Sequence, residues 1–86
     1  MLPEQCRAAR GLLNWTQAEM ATLAGVSRST VRDFEGCRHY LHRATEERLI
    51  RALEAAGVRL LPSSAEGPGV RLCSPKPVGA RLQSVL

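Results

Sequence analysis

Residues 16–36 read Thr-Gln-Ala-Glu-Met-Ala-Thr-Leu-Ala-Gly-Val-Ser-Arg-Ser-Thr-Val-Arg-Asp-Phe-Glu-Gly, and two helix starts are written into them. Thr16 is an N-cap residue with Glu19 three positions on, the spacing of a capping box; Trp15 before the cap and Met20 after it form the pair that staples the entering chain to the first turn. Over 16–24, Met20, Ala21 and Ala24 give the inward face. Gly25 follows, where a tight turn needs positive φ without a Cβ penalty. Val26 is placed to bury itself between two helices. Ser27 caps the next one, Arg28 to Glu35, whose Val31 and Phe34 are spaced by three and face inward, and Gly36 ends it. Two short helices joined by a tight glycine turn make a helix-turn-helix.

Outward from this centre the pattern stays helical. Residues 3–13 carry Leu2, Cys6, Ala9 and Leu13 at spacings of four, three and four, one helical face. Pro3 suits a first turn, Glu4 the positive end of the helix dipole, and Asn14 a left-handed stop. Residues 37–43, Cys-Arg-His-Tyr-Leu-His-Arg, read as a basic loop. A fourth helix is expected from about Thr45 to Ala56, with Leu49, Ile50, Leu53 and Ala56 as its apolar stripe and Gly57 at C′. The periodicity then changes. Val58-Arg59-Leu60-Leu61 and Val70-Arg71-Leu72-Cys73 flank a turn-rich loop, which predicts a β-hairpin. A lone hairpin is marginal in water, so it packs on the helices, pairs with another subunit, or does both. Residues 74–86, with Pro75, Pro77 and Gly79, read as a flexible tail whose Val78, Leu82, Val85 and Leu86 are apolar enough to dock. The division is thus 1–57, 58–73 and 74–86.

The 86 residues suit one small domain. Trp15, Phe34 and Tyr40 are the only aromatics, so the core is built from aliphatic residues. A core this thin is commonly supported by a second subunit. The net charge is +4, and arginine supplies all but one of the 12 basic residues. A basic balance favours a polyanionic partner, and guanidinium forks suit phosphate and guanine. No apolar run is long enough to cross a membrane, and the N-terminus lacks the basic-then-apolar order of a secretory signal. A cytoplasmic protein with reduced Cys6, Cys37 and Cys73 is the expectation.

The second helix of the motif is the one that enters a major groove. Its outward residues are Arg28, Ser29, Arg32 and Asp33, with Ser27 and Thr30 beside them: short hydroxyls and long guanidinium groups, the chemistry that base edges and phosphates need. Thr16 to Ala21, Ala24 to Val31 and the closing Glu35-Gly36 resemble the Cro/C1-type (Xre) helix-turn-helix regulators over about residues 4–57. The resemblance implies a mainly α, lambda-repressor-like domain of four helices with a small C-terminal β-hairpin. It implies DNA contacts from Gln17 and from Arg28, Ser29, Thr30 and Arg32, and a structural Arg10–Glu35 pair joining the first helix to the third. Phe34 is bulkier than the aliphatic often found there, and the loop is poorer in proline and richer in histidine.

Plainer readings stand beside these. Arg28 and Arg32 are solvated helix charges if no DNA binds, Gln17 is a good early-helix residue, and Asp33 either accepts from cytosine, orients an arginine, or is a surface carboxylate. Arg38, His39 and Arg43 follow the recognition helix, where backbone contacts fall. Cys37, His39 and His42 have short spacing and no fourth ligand, which argues against zinc. Ser, His and Asp occur without a nucleophile elbow, and Gly67-Pro68-Gly69 is no phosphate loop, so no enzyme and no cofactor are expected. The expectation is a sequence-specific transcription regulator that binds double-stranded DNA as a homodimer and represses from an inverted repeat. The alternatives are the antitoxin of a toxin–antitoxin pair, which also binds DNA, and an anti-activator that uses the same fold to sequester another regulator.

Overall fold

The computed structural model describes residues 1–73, and the tail expected over 74–86 lies outside them. Four helices are followed by two strands: α1 (Pro3–Leu13), α2 (Gln17–Ala24), α3 (Arg28–Glu35), α4 (Arg43–Ala55), β1 (Val58–Leu61) and β2 (Gly69–Leu72). The mainly helical fold with a terminal hairpin agrees with the sequence reading.

Local signals explain most boundaries. Pro3 is the first residue of α1, and Asn14 closes it in the left-handed region at φ 60°. Thr16 Oγ1 accepts from the Glu19 N–H at 3.0 Å while a Glu19 carboxylate oxygen accepts from the Thr16 N–H at 2.8 Å, a complete capping box. Gly25 ends α2 at φ 74°, where a side chain would be strained. Its carbonyl accepts from Arg48 Nη1 at 3.1 Å, which ties the turn to α4.

Among the helices, the start of α4 differs from expectation. α4 begins at Arg43 rather than Thr45, with His42 as its N-cap, so Arg43 is helical and not part of the loop. α3 ends at Glu35 as expected, with Gly36 as its C-cap at φ −87°. The left-handed position falls to Cys37 at φ 62°. The Cys37 and Arg38 N–H groups reach back to the carbonyls of Phe34 and Asp33 at 3.0 and 2.8 Å, a Schellman closure built without its usual glycine. Gly36 serves instead as a close approach, since a Cβ there would lie 3.3 Å from the Arg32 carbonyl.

One core joins all four helices and the hairpin: Cys6 and Ala9 of α1, Met20 and Ala21 of α2, Val31 and Phe34 of α3, Leu49 and Leu53 of α4, and Val58 of β1. Met20, Val31, Leu49 and Leu53 are fully buried, each removing about 1.5–3 kcal/mol worth of apolar surface from water. Leu2, expected on the inward face of α1, is 42% exposed because it precedes the helix and stands at its open end. Trp15, Val26, Leu60 and Val70 pack partly buried against the core.

β1 and β2 pair antiparallel with Leu60 opposite Val70 and Leu61 opposite Gly69. β2 therefore starts one residue earlier than the sequence pattern placed it, and one pair beyond the strands the Cys73 N–H donates to the Gly57 carbonyl at 2.6 Å in the same register. The hairpin packs on α1 and α4 of its own chain. Gln5, 8% exposed, fastens it there: its Nε2 donates to the carbonyls of Leu61 at 2.8 Å and Gly69 at 3.0 Å, and its Oε1 accepts the Leu2 N–H at 3.0 Å.

Candidate nucleic-acid interface

α3 divides cleanly. Val31, Phe34 and Glu35 are buried, whereas Arg28, Ser29 and Arg32 stand in solvent. At its N-terminus Ser27 Oγ accepts the Thr30 N–H at 3.1 Å. The same oxygen lies 2.7 Å from the Thr30 hydroxyl and 3.2 Å from that of Ser29. Ser27 is thus the helix cap as well as a candidate contact, and the three hydroxyls form one polar patch. Arg32 Nε donates to Asp33 Oδ1 at 3.1 Å. Of the roles open to Asp33, orienting Arg32 is the one the geometry contains, although an exposed pair of this kind contributes little stability. Arg28, Arg38 and Arg43 make no side-chain hydrogen bond among the described residues.

The helix is held from behind by Glu35, which is only 3% exposed. Arg10 grips its carboxylate with two bonds, Nε to Oε2 at 2.8 Å and Nη2 to Oε1 at 2.7 Å. Arg10 Nη1 also donates to the Trp15 carbonyl at 2.9 Å, so one guanidinium joins α1, the approach to α2 and α3. Arg7 donates to the Glu35 carbonyl. Burial by itself would raise the Glu35 pKa, but the hydrogen bonds from Arg10, Gln17 and Cys6 outweigh it and hold the carboxyl below its ordinary range. The same contact raises Arg10, and burial with the nearby carboxylate pushes the Cys6 thiol far up, so Cys6 stays a neutral donor to Glu35 Oε2 at 3.1 Å. The structural pair inferred from resemblance is therefore present, as part of a larger network.

Gln17 belongs to that network. Its Nε2 donates to Glu35 Oε1 at 3.0 Å, so its amide is oriented by the carboxylate rather than swinging free. The amide carries a second N–H and a carbonyl oxygen for an external partner.

The loop after α3 shapes the flank of the surface. A depression of about 250 Å³ lies between Ser29, Thr30 and Asp33 on one side and His39, Tyr40 and His42 on the other. Arg38 lines a separate hollow with Leu2 and Phe34, so Arg38 and Arg43 do not share one pocket with the serine–threonine patch. Tyr40, which sequence reasoning passed over, is 98% exposed. The available signal was the placing of one of only three aromatics in a basic loop. Among the described residues no group of three or more His, Cys, Asp and Glu is gathered as a metal site, and no helix is long and apolar enough to cross a membrane.

A family model described as a helix-turn-helix domain matches residues 4–61, well over half of the chain, and the protein belongs to that family. The match runs from α1 through β1, so the first hairpin strand falls within it. Membership suggests a DNA-binding regulator. No curated protein matches the chain.

Proposed function

We propose that this protein is a sequence-specific transcription regulator of the Cro/C1 (Xre) type, acting in the cytoplasm as a homodimeric repressor. The observation that carries the reading is the outward face of α3, where Arg28, Ser29 and Arg32 stand exposed on a helix fixed from behind by the Arg10–Glu35 grip. Arg28 and Arg32 read base edges in the major groove, with Ser27, Ser29 and Thr30 adjusting fit and Gln17 contacting the backbone at the start of α2. Arg38, Arg43 and the phenol of Tyr40 meet phosphates on either side. The protein works without a cofactor and catalyses no reaction; occupying a promoter excludes polymerase.

One recognition helix of two turns covers few base pairs, which is why a dimer and an inverted repeat are proposed, with half-sites about 10 bp apart. Selection of binding sites from a random duplex library at near-physiological salt tests this. An enriched inverted repeat is the expected result. Steeply salt-dependent binding without enrichment would overturn it and favour the anti-activator reading, in which the chain sequesters a protein partner and binds DNA only non-specifically.

A further inference from the structure

An apolar opening among the described residues lies away from the α3 surface. Along one side of α2, Trp15, Ala18, Thr22 and Leu23 line a groove of about 380 Å³, with Glu19 on its rim. Trp15 and Leu23 also line an adjoining groove of about 260 Å³ whose far wall is Ala52, Ala55 and Ala56 of α4 and its cap. Leu23 is 60% exposed at the junction. A leucine standing in water beside a wall of alanines is unfinished packing.

The end of the described chain lies beside this opening. The Cys73 N–H donates to the Gly57 carbonyl, and Gly57 directly follows Ala56 of the groove wall. Residues 74–86 read Ser-Pro-Lys-Pro-Val-Gly-Ala-Arg-Leu-Gln-Ser-Val-Leu. Val78, Leu82, Val85 and Leu86 supply four apolar side chains within nine residues. The five steps from Cys73 to Val78 reach about 17 Å when extended. The wall from Ala56 back to Ala52 is about 6 Å of helix, so the segment reaches the groove without strain. The charges also match. The segment holds Lys76 and Arg81 and no acidic residue, and Glu19 is the one charged residue lining the groove, whereas Glu54 in the hollow beside Cys73 is offset by Arg59.

We propose that residues 78–86 of this chain dock in the groove between α2 and the C-terminal part of α4, covering Trp15 and Leu23. The segment finishes the packing that the hairpin leaves open on that side. None of the outward α3 residues lines the groove, so docking and DNA contact are separate properties of the molecule.

Trp15 is the sole tryptophan and lies in the groove, which makes it the reporter. The full chain is compared with its Leu82→Asp/Val85→Asp variant by emission spectrum and acrylamide quenching, with far-UV circular dichroism monitoring the helices. The expected result is a red shift and a severalfold rise in quenching in the variant with the helices intact. The gentler Leu82→Ala/Val85→Ala variant moves both readouts the same way and carries the test if the aspartates disturb folding. Unchanged emission and quenching in both variants would overturn the proposal. So would protection of Trp15 that disappears on dilution of the unaltered chain, which would assign the groove to a second copy.

Discussion

Replacing Arg10 by alanine strips the partner from a carboxylate that is 3% exposed. Two short charge-assisted bonds are lost, at 2.8 and 2.7 Å, and Gln17 and the neutral Cys6 thiol cannot supply the missing charge. Breaking a buried ion pair from one side costs about 3–5 kcal/mol. Arg10 keeps 20% of its side chain in water, which places the expected cost near the lower figure, about 3 kcal/mol. A domain of this size holds only about 5–10 kcal/mol, so the loss is a large fraction, equivalent to roughly 12–24 °C in Tm. Urea denaturation followed by far-UV circular dichroism measures it as a lower midpoint at unchanged m. The pH dependence gives an independent check. Because the folded Glu35 pKa is depressed, its contribution is fully present above the ordinary carboxylate value of about 4.3. It drains away as pH falls through the lower folded value, and Glu35→Gln removes that component. An Arg10→Ala protein destabilised by less than about 0.5 kcal/mol would refute the claim that this grip fixes α3.

Gln5→Ala leaves the carbonyls of Leu61 and Gly69 without their donor, and the expected cost is about 1–3 kcal/mol, read as faster amide exchange concentrated in the hairpin. Uniform exchange across the helices instead would show that Gln5 does not anchor it. Cys37→Gly relieves a left-handed non-glycine residue at φ 62° and is expected to raise stability by about 1 kcal/mol, measured by thermal unfolding. Arg38→Ala and Arg43→Ala are expected to weaken all duplexes alike and to lower the slope of log affinity against log salt by about 1 each. A sequence-dependent loss would move these residues from phosphate contact to base reading.

The motif was legible because its signals are local. The Thr16–Glu19 box, the Gly25 turn and the Ser27 cap each lie within a few residues, so short windows contain their physics. The network behind α3 was not local. Only the Arg10–Glu35 pair came from the sequence, through family resemblance, while Cys6 and Gln17 reach Glu35 across 29 and 18 residues. Gln5 is a polar residue on the first turn of α1 with no signal in the sequence, yet it is buried by a hairpin 56 residues away, which no periodicity encodes. The end of α3 at Gly36 was legible, but the left-handed residue at Cys37 was not, because glycine usually takes that position. Backbone geometry rather than residue type put the left-handed angle one step later.

Under the proposed function, α3 reads sequence through Arg28 and Arg32. The most direct measurement runs binding-site selection on the unaltered protein and on Arg28→Ala/Arg32→Ala in parallel, from the same random duplex pool at the same salt. The predicted result is an inverted repeat enriched by the first and lost in the second, with weak salt-dependent binding retained. Enrichment of the same repeat by both proteins would contradict the claim and send the search for the reading surface to other residues.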